Sequence, residues 1–395
     1  MPAFTFPGQG SQRPGMGRPW VEHPSWELVA EASRAAGRDV AHLLCDADAE
    51  ELKAPRNAQL ATFVASLVVL DALERVGLSP SWCAGHSLGE YTALVATGAL
   101  SFDEGVAIVA ERGEAMQAAA DERPGTMAAV LGLDDDDADA ACRRADGDVW
   151  VANYNAPGQV VIAGAPDAVE RAAAAARELG AKKVMPIPVG GAFHTPYMAP
   201  ARERLRKALA SAAFCEPEVP VVANVDARPH RDPEEWRSLL SAQLCSPVRW
   251  RQTLLRLQDD GASVFVELGP GGVLTGLVKR TLPGARAVAV ATPDDIDRLL
   301  ALLAEGAAPA RIHLAGEHLH VSERLVVSPA AGVFEPAPPS DDAAAEGEVV
   351  QVGGLIGYVG GQEVRSPFAG WLMGMLAAPG ERVTQGQPVA WLRAL

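Results

Sequence analysis

The chain is expected to fold as an α/β protein with a smaller βαββαβ unit inserted into it and an all-β unit towards its C-terminal end. Three observations predict this. An apolar approach at Cys83-Ala84 ends in Gly85-His86-Ser87-Leu88-Gly89 and runs straight into helix-forming residues 91–96, the pattern of a strand turning sharply into a helix with serine at the apex. Between 125 and 189 the rhythm becomes strand, helix, strand, strand, helix, strand. From Leu325 onward, strand-like segments recur as an internal repeat.

Taken in order, Phe4-Thr5-Phe6 reads as a short buried strand, followed by the glycine-punctuated loop Pro7-Gly8-Gln9-Gly10-Ser11-Gln12. Such a loop either approaches a ligand with its backbone or turns at the surface. Residues 23–75 read mostly helical, with Pro55-Arg56-Asn57 marking a break before an apolar helix that begins near Ala58. At the apex, glycine on both sides of Ser87 permits the tight turn and pushes the hydroxyl out of the sheet. The Leu88 N–H then lies at a helix N-terminus, where it can stabilise an oxyanion. The same five residues also fit an ordinary glycine-rich turn. Gly98 closes the helix after it. Ser101-Phe102-Asp103-Glu104 is a capping box opening the next helix, which carries Arg112 about three turns in. Taken alone, a helical arginine reads as solvated.

The inserted unit has strands at 127–132, 149–153, 159–163 and 183–188, and helices at 135–144 and 166–179. Its acidic run 134–137 suits the first turn of a helix, favoured by the macrodipole, and is not read as a metal site. In Gly190-Gly191-Ala192-Phe193-His194-Thr195-Pro196 a histidine sits just before a helix start, as a base or as a structural residue. A basic helix follows (Arg202, Arg204, Arg206, Lys207), then a strand at 219–224 and a helix ending in Gln243-Leu244-Cys245-Ser246-Pro247. An apolar strand at 264–268, closed by Gly269-Pro270-Gly271-Gly272, and a helix at 274–279 complete the larger unit.

With 395 residues and 48% hydrophobic composition, the chain can build two or three cores. Five scattered cysteines without Cys-x-x-Cys spacing point to buried thiols. A net charge of −16 argues against nucleic acid and anionic membranes as partners, since both reward clustered positive charge. No run of 18 apolar residues and no leader pattern are found, so a cytoplasmic globular protein is expected.

Seven ordered stretches coincide with one family. Phe6-Pro7-Gly8-Gln9-Gly10-Ser11-Gln12, residues 85–90, Arg112, residues 152–159, Phe193-His194, residues 243–250 and Glu267-Leu268-Gly269-Pro270-Gly271 together resemble the malonyl-CoA:acyl carrier protein transacylases, including acyltransferase domains of polyketide synthases. The resemblance runs from 4 to 291. It implies an α/β-hydrolase-like large subdomain over 1–124 and 190–292, and a ferredoxin-like small subdomain over 125–189. It also implies Ser87 as nucleophile and His194 as its general base, oriented by the main-chain carbonyl of Gln243 in place of an acidic third member. Gln9 and Leu88 would supply the oxyanion-hole N–H groups, and Arg112 would hold a malonyl carboxylate by a bidentate pair.

The implied reaction is ping-pong transfer from malonyl-CoA, through a seryl ester, to the phosphopantetheine thiol of an acyl carrier protein, in polyketide or fatty acid biosynthesis. It uses no metal and no permanently bound cofactor. Gly191-Ala192-Phe193-His194 resembles a malonyl-type signature in which Phe193 crowds a methyl branch, departing from the family's common histidine at Gly191. Lys182-Lys183 and Lys279-Arg280 match basic pairs beside the family's cleft and are either carrier-protein docking residues or solvated charge.

Residues 293–324 are expected to form a linker with a helix at 294–305. Beyond it, Ser328-Pro329-Ala330-Ala331-Gly332-Val333 recurs as Ser366-Pro367-Phe368-Ala369-Gly370-Trp371, and residues 347–353 recur as 380–386. An insertion at 336–345 is the main difference between the copies. These halves, over 325–395, resemble the flattened β-barrel of biotinyl and lipoyl carrier domains. The position of the modified lysine falls on Val359, and no lysine follows Lys279, so no biotin or lipoate attachment through lysine is expected. Such a unit would be kept for its shape, to dock a polyketide synthase or carrier protein, cap the enzyme or mediate oligomers, with Tyr358 and Trp371 as interface anchors or barrel packing. Two other readings of the chain are an acyl hydrolase that clears stalled carrier proteins and a non-catalytic scaffold. Arg112 weighs against the first, because monocarboxylic chains have no use for its charge, and Ser87 with His194 weighs against the second.

Overall fold

The computed structural model describes residues 1–304, 316–320, 323–338 and 347–394; of the expected 293–324 linker, residues 305–315 and 321–322 lie outside them, as does most of the 336–345 insertion. A six-stranded sheet runs Arg286–Val290, Val264–Leu268, Pro2–Phe6, Trp82–Gly85, Val221–Val222 and Pro229–His230, parallel except for the last strand. The central strands are near-continuous apolar runs because helices cover both faces. Pro2–Phe6 has Trp82–Gly85 on one side and Val264–Leu268 on the other, so the chain departs in opposite directions from the middle of the sheet. Loops at the C-terminal ends of such strands form a crevice suited to a ligand.

The helix Pro55–Arg75 is buried along its length, and its composition, which would suit a membrane span, is that of a core helix. It starts three residues before the expected Ala58, with Pro55 at its first position, where a missing N–H is no loss. Phe102–Glu122 packs against it and against Ala199–Ser211. The helix Pro293–Ala304, expected within a linker, belongs to the main body: Ile296 and Leu299 are buried in the large core. An amphipathic segment after the last strand gives no sign in sequence of the surface it will cover.

The small subdomain is an antiparallel sheet in the order Val149–Ala156, Gln159–Gly164, Thr126–Leu131, Lys183–Ile187, with Asp135–Arg144 and Pro166–Glu178 packed on it. Its first strand in that order extends three residues past the expected end because it meets the large subdomain: Val248 N–H donates to Ala152 O at 2.9 Å and Tyr154 N–H to Val248 O at 2.9 Å. The acidic run caps and braces. Asp134 accepts from the Asp137 N–H at 2.9 Å, and Arg251 of the large subdomain forks onto Asp135 at 2.6 and 3.0 Å.

The C-terminal region is all-β. One sheet runs Gly316–His320, Glu323–Val327, Pro388–Ala394, Gly370–Met375, Val349–Val350; the other runs Gln362–Arg365, Leu355–Val359, Gly332–Pro336, Arg382–Val383. Phe334, Val359, Leu372 and Leu392 are among its own buried core. The repeat is visible in its turns: Ser328 Oγ donates to Ala330 O at 2.6 Å and Ser366 Oγ to Phe368 O at 2.7 Å. Val359 is fully buried and precedes Gly360-Gly361, whose φ of +59° and +82° make the tight two-residue turn that glycine permits. Tyr358 is half-buried, whereas Trp371 is exposed.

Candidate active site

The turn after Trp82–Gly85 is shaped by backbone crowding. A Cβ on Gly85 would lie 1.8 Å from the Gly89 carbonyl, and one on Gly89 would lie 2.0 Å from Phe6 O, so helix Gly89–Ala96 starts in direct contact with the central strand. Ser87 is left at φ +53°, a strained left-handed conformation for a residue with a side chain. Asn224 holds it there. Its Oδ1 accepts from the Ser87 N–H at 2.7 Å and its Nδ2 donates to Gly85 O at 2.7 Å.

His194, also left-handed at φ +61°, reaches the serine from the far side of the sequence, with Nε2 2.7 Å from Ser87 Oγ. Its Nδ1 lies 2.9 Å from the main-chain carbonyl of Gln243. A carbonyl only accepts, so Nδ1 carries the proton and Nε2 presents its lone pair to the serine. Burial, aided by the Arg112 charge, pushes the His194 pKa down to about 3, which leaves the ring neutral. A neutral ring with its Nε2 lone pair directed at a hydroxyl can accept a proton from it.

Leu88 caps the helix, and Gln9 lines the same cavity as Ser87. Neither N–H donates to an acceptor among the described residues. The loop that carries Gln9 lies against the serine turn, since a Cβ on Gly8 would come 2.4 Å from His86 O. Two unspent donors beside a serine hydroxyl suit a developing oxyanion.

Arg112 is not solvated, as its pattern alone suggests, but fully buried. Nη2 donates to Ser87 Oγ at 3.1 Å and to Gln243 Oε1 at 2.9 Å, and Nη1 donates to Gln59 Oε1 at 2.6 Å. The guanidinium also lies 5.3 Å from the centre of the Tyr91 ring. An arginine stays charged in such a place, and polar partners replace its water.

A cavity of about 430 Å³ opens from Ser87 and His194 between the two subdomains, with Met127, Asn155 and Val161 contributed by the small one. Phe193 lines it, and Gly191 lies behind the Phe193 ring, where an added Cβ would come 2.6 Å from a ring carbon. Lys182, Lys183, Lys279 and Arg280 are all exposed and none lines the cavity; Arg280 donates to Gln159 Oε1 at 2.7 Å, and Gln159 does line it. Sequence reasoning did not single out Gln59, His86, Glu90, Asn155 or Asn224. His86 Nε2 pairs with Asn155 Oδ1 at 2.9 Å, joining the serine turn to the small subdomain. His86, Glu90 and Asn155 lie within motif stretches, whereas Gln59 and Asn224 carry no local signal.

The acyl transferase domain family matches residues 3–304, through the end of the helix Pro293–Ala304. The malonyl CoA-acyl carrier protein transacylase of Bacillus subtilis (strain 168) is 40% identical over 308 residues, which are 77% of this chain and 97% of that protein. The enzyme of the same name from Escherichia coli (strain K12) is 42% identical over 309 residues, 76% of this chain and 99% of that protein. Among solved structures, an acyl carrier protein S-malonyltransferase from Vibrio cholerae O1 biovar eltor str. N16961 superposes with a TM-score of 0.73 at 40% identity, covering 75% of this chain and 99% of that one. A malonyl-transacylase in complex with its type II PKS acyl-carrier protein gives 0.74 at 38% identity, covering 76% and 99%. In sequence and in fold, then, this chain belongs to the acyl transferase domain family.

Proposed function

We propose that the protein transfers malonyl groups from coenzyme A to the phosphopantetheine thiol of an acyl carrier protein, through an ester on Ser87. The observation that carries this reading is the placement of Ser87 Oγ between a neutral base, His194 Nε2 at 2.7 Å, and a buried cation, Arg112 Nη2 at 3.1 Å. In the first half-reaction Ser87 Oγ gives its proton to His194 and bonds to the thioester carbonyl carbon, and the oxyanion is held by the Gln9 and Leu88 N–H groups. The C–S bond then breaks and coenzyme A leaves with the proton from His194. In the second half, the carrier thiol gives its proton to His194, its sulfur attacks the ester, and Ser87 regains a proton as the malonyl group departs.

Arg112 holds the free carboxylate throughout. An acetyl group would leave that guanidinium without a carboxylate partner, which disfavours it. Phe193 fills space beside the reacting carbon and favours malonyl over branched acyl groups. Lys182, Lys183, Lys279 and Arg280 serve the acidic carrier protein as a local basic surface. The enzyme needs no permanently bound cofactor and works in the cytoplasm, in fatty acid or polyketide synthesis. Its C-terminal unit is a biotinyl/lipoyl-like flattened barrel that carries no modification and offers its shape to a synthase or carrier partner. The hydrolase reading is the weaker one, because it gives Arg112 no work.

Intact-protein mass spectrometry after mixing with malonyl-CoA, methylmalonyl-CoA or acetyl-CoA tests the reading. A malonyl adduct is expected, absent from Ser87→Ala, with the acetyl adduct gaining on it in Arg112→Ala. No adduct from any of the three thioesters on folded protein would overturn it.

A further inference from the structure

Gln243 ends the helix Pro233–Gln243 and is buried against all three principal groups of the site. Its main-chain carbonyl accepts from His194 Nδ1. Its side chain does different work: Oε1 accepts from Arg112 Nη2 at 2.9 Å, while Nε2 donates to Ser87 O at 2.8 Å and to Glu90 Oε2. A side-chain amide can lie either way round. Arg112 only donates, Ser87 O only accepts and an ionised Glu90 only accepts, so these neighbours select one orientation.

Glu90 is itself buried, in the first turn of the helix Gly89–Ala96, and its other oxygen takes the Asn224 N–H at 2.7 Å. The result is a chain from carboxylate through amide to guanidinium in the interior, where each link is strengthened by low dielectric. The carbonyl that serves His194 is held by the helix, not by this chain. The histidine and the arginine are thus positioned by separate parts of one residue.

We propose that Glu90 is a positioning residue for acyl-group selection: through the Gln243 amide it fixes Arg112 beside Ser87, and so sets the preference for acyl groups bearing a free carboxylate. This rests on the reading of Arg112 as the holder of that carboxylate. The charged and titratable groups facing Glu90 are Arg112 on Phe102–Glu122, Asp226 after Val221–Val222, and Tyr91 on its own helix. Burial lifts the Glu90 pKa to about 7, against the pull of the Asn224, Gln243 and Arg112 donors. A protonated carboxyl can donate as well as accept, so the constraint on the amide slackens as pH falls through that value, and selectivity falls with it.

The test compares acylation of Ser87 by malonyl-CoA and acetyl-CoA, as separate kcat and KM values, in wild type, Glu90→Ala, Glu90→Gln and Arg112→Ala. In Glu90→Ala the malonyl-over-acetyl ratio of kcat/KM should fall about tenfold, chiefly through KM for malonyl-CoA. Glu90→Gln keeps one acceptor oxygen for the two donors at this site, the Asn224 N–H and Gln243 Nε2, so it should recover part of the ratio and lose its pH dependence between about pH 6 and 8. A loss of folded or active protein scales both substrates alike and leaves the ratio unchanged. Equal slowing with both thioesters in Glu90→Ala would therefore overturn the proposal. If Arg112→Ala collapses the ratio and Glu90→Ala does not, the proposal alone fails. If Arg112→Ala leaves the ratio unchanged, the reading of Arg112 fails first.

Discussion

Ser87 and His194 face each other from left-handed backbone positions, each a strain of about 1–3 kcal/mol that its surroundings must hold in place. For Ser87 the restraint is Asn224, which fastens the residue's own N–H and the carbonyl two positions before it. Asn224→Ala strands both buried groups, at about 1–3 kcal/mol each. Thermal unfolding should show a Tm lower by several degrees, and the surviving folded protein should lose kcat for Ser87 acylation more than it changes KM. An unchanged kcat would mean that the two glycines hold the turn unaided. The charge on Arg112 is also held by its surroundings. Buried among Gln59, Gln243 and the serine hydroxyl, the guanidinium is kept in place by neutral oxygens, so its charge is not neutralised by these partners.

Among the elements, those whose cause is local were legible in the sequence. Gly85 and Gly89 flank the serine because neither position has room for a Cβ, so the strand-to-helix turn is written in adjacent residues. Ser101 caps Phe102–Glu122 through the Glu104 N–H at 3.3 Å, with Glu104 accepting from the serine hydroxyl in return, again within four residues. What stayed hidden depends on distant partners. The strand Val149–Ala156 is lengthened by Val248, and Pro293–Ala304 becomes part of the body through a core it meets only after folding. Arg112 lies on a helix covered on more than one side, which its own spacing does not reveal; only the family resemblance singled it out, as the expected holder of a malonyl carboxylate. Asn224 and Gln59 had neither a local pattern nor a motif to mark them.

Across the whole molecule, the reaction and the C-terminal unit occupy different ends of the central sheet. The cavity is lined by no residue beyond Leu277 among those described. Arg324 of the C-terminal unit is fully buried, with Nε 3.8 Å from Glu218 Oε1. Glu218 lies two residues before Pro220, whose carbonyl accepts from the Cys83 N–H at the start of Trp82–Gly85, while Ser87 follows its end. Arg324 thus braces the base of the acyltransferase body. Removing one partner of a fully buried pair is worth about 3–5 kcal/mol, and less here because Glu218 keeps some exposure. Arg324→Ala should lower Tm by several degrees while malonyl loading per folded molecule stays as in wild type. Lost loading at unchanged Tm would instead draw the C-terminal unit into the reaction.

Transfer to a carrier thiol can be followed in the fate of the malonyl group on Ser87. Protein loaded with malonyl-CoA and freed of excess thioester would be mixed with a phosphopantetheinylated carrier protein, with the same carrier lacking the prosthetic group, or with buffer, and both chains followed by intact mass. The malonyl mass should move to the carrier only when its thiol is present, and the ester should otherwise persist. Loss of the ester to water at the same rate in all three mixtures would contradict transfer and make the protein a hydrolase.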